Sequence, residues 1–209
     1  MIILPNLPDK LNELENFSNT ILDDEVISNY SIYNQIITSL SISNIEITNS
    51  KIKNIKFISC NFEKSYFSNV IFENCDLSNI NLSSSTFKKV MFNDCKLQGS
   101  NLNKSYLENV YMNNCNTKNI YADESKILNS NFKECNFKDA SLSTISFKNI
   151  SFDNCDFTCV NLSKTKLKDV DFTTSNIDGI TVYTEDLKGC ILTKLQALEF
   201  IKILGIVLK

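Results

Sequence analysis

Every fifth residue of this chain is apolar. The series that starts at Phe17 and runs through Leu22, Ile27, Ile47, Phe67, Phe87 and Leu107 to Leu192 holds 36 positions, and Thr117 alone departs from it. At 43% apolar composition a random draw would fill about 15 of them. Neither a helix of period 3.6 nor a strand of period two keeps one face apolar at this spacing, whereas a turn every five residues does. Four such turns close a square coil of 20 residues, so side chains 20 apart should share a face. A second register, two residues before each centre, carries that period in its letters. It reads Cys75, Cys95, Cys115, Cys135 and Cys155 on one face, Val70, Val90, Val110, Ser130, Ile150 and Val170 on another, and Ser65, Ser85, Ser105 and Ser125 on a third. The pattern predicts an all-β, right-handed quadrilateral β-helix over residues 17–192. Its nine coils, about 4.8 Å apart, would make a rod of roughly 43 Å.

Turn chemistry agrees with that reading. Two residues after the centres stand Asn69, Asn74, Asn79, Asn109, Asn114 and Asn119, with Gly99, Gly179 and Gly189 in the same register. Both residue types tolerate the positive φ of a tight corner. Pro5 and Pro8 precede the repeat, where they cannot remove a ladder donor.

The ends of a solenoid need covers. Residues 1–16 lack the five-residue pattern and are expected to cap the N-terminal end. Residues 193–209 predict a short α-helix cap and a following strand. Thr193 with Gln196 reads as a capping box, Leu195, Leu198 and Ile201 make an apolar stripe, and Gly205 stands at the C′ position. One coil end is too small to hide this stripe and the strand after it, so the tail is expected also to join two copies into a homodimer through Leu198, Ile201, Leu204, Ile206 and Val207.

Composition narrows the function. A net charge of -3 gives no basic field for a phosphate backbone, so no direct nucleic-acid binding is expected, and a basic partner fits slightly better. Histidine is absent, which removes the commonest acid–base group and metal ligand. No Gly-rich phosphate loop or nucleophile elbow is present. The chain therefore reads as non-catalytic, with no cofactor, metal site or catalytic residue. No apolar stretch reaches a membrane span, and Met1 to Leu4 is too short for a signal core, so a cytoplasmic protein is expected. Of eight cysteines, all except Cys159 fall in the inward register and are expected to be buried reduced thiols, since a linear ladder is not a zinc cage. Thr117 and Ala122 are small among bulky neighbours, which leaves either a bend or a cavity filled from the sides.

The pentads Ser100-Asn101-Leu102-Asn103-Lys104 and Val160-Asn161-Leu162-Ser163-Lys164 resemble the pentapeptide-repeat family. The tail, with Leu187-Lys188-Gly189, Gln196-Ala197-Leu198 and Leu204-Gly205-Ile206-Val207, is similar to the C-terminal segment of its Qnr-type, gyrase-interacting members. The resemblance implies a dimer joined at this end, a rod resembling B-DNA in size and charge, and binding to DNA gyrase or topoisomerase IV with lowered sensitivity to quinolones or toxins. The five-residue frame carries no insertion, whereas several Qnr proteins interrupt the coil with loops important for protection. That departure separates binding from protection.

Positions 20 apart also sort the surface. The face with centres Phe72, Phe92, Met112, Phe132, Phe152 and Phe172 presents Glu73, Asp94, Glu134, Asp153 and Asp171 against Lys133, beside an outward apolar ladder of Ile71, Met91 and Tyr111. This is either the partner-binding strip or a set of like-residue ladders that stabilise stacking. The adjacent face carries Lys88, Lys89, Lys126, Lys148, Lys166 and Lys168, an asymmetry that DNA lacks. The alternative function is a structural or interaction scaffold with an unrelated partner. A solenoid enzyme would need a wider coil and a cleft of acids.

Overall fold

The computed structural model describes residues 2–23 and 26–203. It is a parallel β-solenoid of about seven turns with few helices and a short C-terminal one. Strands in successive coils pair in parallel at an offset of 20 residues, as in Phe67↔Phe87↔Leu107 and Phe72↔Phe92↔Met112. The turn count falls short of nine because both ends of the five-residue series leave the coil. Phe17–Asp23 forms helix α1, which buries Phe17 and Ile21, one helical turn apart, so Phe17 belongs to a helix and is not a coil centre. Thr184–Leu187 is a 3-10 turn and Lys194–Ile203 forms helix α2.

The four sides are numbered here by their centres: face 1 holds Phe67 and Phe87, face 2 Phe72 and Phe92, face 3 Leu77 and Leu97, face 4 Leu82 and Leu102. Inward side chains form one continuous core. Aromatic rings stack at rung spacing, with centroids of Phe67 and Phe87 4.9 Å apart and those of Phe72 and Phe92 4.8 Å apart. Beside Ala122 an apolar cavity of about 30 Å³ remains. The Thr117 side chain is fully buried and its hydroxyl donates to the Asn136 carbonyl at 2.7 Å.

Every fifth residue from Asn29 to Asp169 has φ near +50 to +60°, Gly99 at +68° included. That left-handed residue is what turns each corner, and Asn tolerates it best among residues with a side chain. Asn side chains then link corner to corner, Asn74 Nδ2 donating to Asn54 Oδ1 at 2.8 Å and Asn54 Nδ2 to Asn34 Oδ1 at 2.9 Å.

The residue before each centre favours one shape for its side, although Asn131 opens a strand and Lys96 and Tyr121 precede turns. On faces 1 and 2 this position holds Tyr66, Ile71, Thr86, Met91, Tyr106 and Tyr111, residues that favour extended backbone. There the chain forms eight-residue strands, Tyr66–Glu73, Thr86–Asn93 and Tyr106–Asn113, each passing the corner between the two faces. On faces 3 and 4 the same position holds Asp76, Asn81, Asn101, Asn116, Asn136 and Asn161. Their side chains accept a hydrogen bond from the N–H two residues on, as Asp76 does from Ser78 at 3.1 Å, which folds the pentad into a turn. One bridge per coil remains on those sides, in the columns Asp76↔Lys96↔Asn116 and Asn81↔Asn101↔Tyr121.

Residues 2–16, expected to cap the end, do more than that. Ile3 N donates to Asn109 Oδ1 at 3.1 Å, Asn6 N to Asn69 Oδ1 at 2.7 Å, and Asn69 Nδ2 returns to Asn6 O at 2.8 Å. Three residues thus cover two coils, the reach of extended chain, roughly 10 Å. The segment is a strap along the corner between faces 1 and 2. It ends as the short strand Asn12–Glu13, paired in parallel with Tyr30 and Ser31 of the first coil, before α1 closes that end.

At the other end the capping box of α2 is formed. Gln196 N donates to Thr193 Oγ1 at 3.2 Å, and Thr193 N donates to Gln196 Oε1 at 2.8 Å. Gln196 Nε2 also donates to the carbonyls of Phe172 and Ser175, both at 2.8 Å, and Phe200 packs on the core. Leu195, expected in the stripe that lids the coil, is 77% exposed and Leu198 is 40% exposed. The amide of Gln196 has taken the rod-facing side of the helix and turned those leucines outward.

Candidate functional site

The sequence strip lies on face 2 and its edge. Ile71, Met91 and Tyr111 stack in one column, paired rung to rung, and are half-buried. The strap is bound at Asn69 and Asn109, two residues before Ile71 and Tyr111, so it runs beside this column. Asp94, Glu134, Asp153 and Asp171 are exposed, while Glu73 is half-buried. Glu73 is held by Lys51 Nζ at 2.7 Å and Lys53 Nζ at 2.6 Å, lysines of the preceding coil. Those two hydrogen bonds keep its carboxyl below the ordinary carboxylate range. Glu134 lies 3.6 Å from Lys133. Among the described residues Asp94, Asp153 and Asp171 have no ion-pair partner, so the negative field of the strip belongs to these three. Asp171 accepts from the Thr173 hydroxyl and N–H, which lowers its pKa.

The proposed dimer residues Leu198 and Ile201 stand on α2, exposed and half-buried respectively. Leu204, Ile206 and Val207 lie outside the described residues.

Six cysteines are buried, Cys190 is half-buried and Cys159 is exposed at a corner with φ +59°. The inward column has a role that its small size did not announce. Thiols of Cys75, Cys115 and Cys155 reach the carbonyls of Ile52, Phe92 and Phe132, each 3.4 Å away and 23 residues back. The hydroxyls of Ser85, Ser105 and Ser125 make the same bond on face 4, to Phe62, Leu82 and Leu102. Neighbouring thiols Cys115 and Cys75, with burial, push the Cys95 thiol far above its ordinary range. Burial and Asp171 push Cys190 up to about 11. Such thiols are poor nucleophiles. Among the described residues no group of three or more His, Cys, Asp or Glu side chains is arranged to hold a metal ion. No described helix is long and apolar enough to cross a membrane.

One feature of the rod had no sequence forecast. Between residues 146–154 and 166–174 no main-chain hydrogen bond joins the two coils. Threonine hydroxyls bridge them at either end, Ile145 N donating to Thr165 Oγ1 at 3.0 Å and Thr174 Oγ1 to Phe152 O at 3.2 Å, so the opening is confined to face 1. On faces 3 and 4 the same coils remain joined, Asn176 N to Cys155 O at 2.9 Å and Leu162 N to Thr181 O at 2.7 Å. The two coils also differ in shape here. Ser146–Lys148 and Ser151–Asp153 are extended, whereas in the next coil Asp171 accepts from Thr173 N at 2.8 Å and turns that side. Lys148 also lies 20 residues from Lys168, a like-charge pair in facing positions. The opening on face 1 is a cleft of about 450 Å³ lined by Phe147, Ile150, Val170, Lys148, Lys166 and Lys168, with Asn149 and Asp169.

A family model for the pentapeptide repeat region matches residues 45–121 and 125–200. Among solved structures, the chain is similar to full-length QnrB1, a plasmid-mediated fluoroquinolone resistance protein, at 18% identity and TM-score 0.47, covering 84% of this chain and 100% of that one. It is also similar to HetL, a pentapeptide repeat protein involved in heterocyst differentiation regulation from the cyanobacterium Nostoc sp. strain PCC 7120, at 12% identity and TM-score 0.24, covering 81% and 90%. No curated protein sequence matches the chain.

Proposed function

The chain belongs to the pentapeptide-repeat family, and from that membership we propose that it is a non-catalytic binding rod that docks through face 2 on the DNA-binding surface of DNA gyrase or topoisomerase IV. The observation that carries this reading is the set of exposed acids Asp94, Asp153 and Asp171 on face 2 and its edges, none of which pairs with a lysine among the described residues, on a rod that repeats at a fixed rung spacing. The similarity of the tail to Qnr-type members supplies the class of partner. The mimicry is local. A duplex as long as seven coils, about 34 Å, carries roughly 20 phosphate charges, against a net charge of -3 here. Only one side of the rod therefore presents a DNA-like field.

The basic face 1 and the pinning of Glu73 by Lys51 and Lys53 favour a second reading, a scaffold for an unrelated protein. One assay separates them. Gyrase supercoiling is titrated with the protein, with and without a quinolone, beside the variant D94K/D153K/D171K, its fold checked by circular dichroism. The docking reading expects inhibited supercoiling or reduced drug-induced cleavage from the native protein and neither from the variant. Indifference of both gyrase and topoisomerase IV to the native protein at tens of micromolar overturns it and leaves the scaffold.

A further inference from the structure

The open seam on face 1 has the composition of a strand acceptor, a surface distinct from the acids of face 2. Parallel coils elsewhere bond each edge to the next, as Asn129 N does to Lys148 O at 2.9 Å above the seam and Leu167 N to Asp186 O at 2.9 Å below it. At the seam the N–H groups of Phe147 and Asn149 on one edge, and those of Lys166 and Lys168 on the other, meet no main-chain acceptor among the described residues. Main-chain groups left without partners along an edge are a template for an added strand. Here two such edges face each other across a cleft of about 450 Å³, within the size range of ligand clefts.

The walls specify what would enter. Successive side chains of a strand point to opposite sides. Inward ones would meet Phe147 and Ile150, both half-buried, and Val170. Outward ones would meet Lys148, Lys166 and Lys168, all exposed. Asp169 is the single acid of the lining, against these three lysines. We propose that the seam on face 1 binds an extended segment of a partner polypeptide with alternating apolar and acidic residues, which adds as a parallel strand between the two coils.

The probe is the labelled peptide Ac-Val-Glu-Val-Glu-Val-NH2, followed by fluorescence anisotropy and amide hydrogen exchange on the full chain. In the free protein the Phe147, Asn149, Lys166 and Lys168 amides should exchange fast beside the protected Asn161 and Asn176. Saturating peptide should slow all four. N-methylation of the peptide backbone should weaken binding about tenfold or more, and so should K148E/K166E/K168E. The N-methyl arm needs no protein variant and decides the matter if the triple substitution unfolds the coil. The proposal is overturned if the four amides are already protected in the free protein, if the peptide does not bind, or if the N-methylated peptide binds equally well. It is equally overturned if pyrophosphate alone slows the same amides, which would make the seam an anion site. None of these outcomes bears on the gyrase assay.

Discussion

Glu73 lies between Lys51 and Lys53 with less than a third of its side chain exposed, and its carboxyl titrates below the ordinary value. A depressed folded-state pKa means stability that is present above the unfolded value, about 4.3, and lost as pH falls through the folded one. Glu73→Gln should therefore lower stability at pH 7 by about 0.5 kcal/mol. Urea midpoints of variant and native protein should converge below pH 4; a gap that persists there would assign the effect to packing. The sequence sorted such residues into inward and outward correctly, because the period of five fixes direction. It left two things hidden. Partnership across coils needs the previous coil's residues as well, and the count of acids on the strip began at Glu73, one coil after its lysines. The Asn or Asp before a centre also has a backbone role, seen in Asp76 and Asn101, that favours a turn, although Asn131 opens a strand. That signal was in the letters.

At the scale of elements, the strap is the least legible part and the most testable. Residues 2–16 have no period, and nothing in them names Asn69 or Asn109 as partners. N69G/N109G, which removes the amides and keeps the positive φ of both corners, should free the strap at a cost of about 1 to 2 kcal/mol, with the Ile3 and Asn6 amides losing their protection from exchange. If both stay protected, apolar contact alone holds the segment. The release would also open access to the column of Ile71, Met91 and Tyr111. Helix α2 shows the complementary case. Its capping box was legible because Thr193 and Gln196 satisfy a local rule, yet the side it turns to the rod was not. Gln196 binds two carbonyls from over 20 residues away, and no local pattern states that. Helix α1 hid inside the five-residue series because Phe17 belongs to both readings.

For the whole molecule, neighbouring coils interact only with one another, so stability is close to a sum over coils and their interfaces. Removing residues 116–135, one full coil, should leave a folded rod with unchanged circular dichroism per residue and a modestly lower melting temperature. Collapse of that variant would show that coils are not interchangeable. The unbroken frame has a further consequence for how such a chain can change. A loss or gain of five residues keeps every inward side chain inward and every corner at a corner, so the fold tolerates it. Everything beyond that point, however, rotates by a quarter turn about the axis, and Asp153 would no longer share a side of the rod with Asp94. In this architecture small insertions spare the body and rewrite the surface, so the arrangement of surface charges is the more perishable of the two.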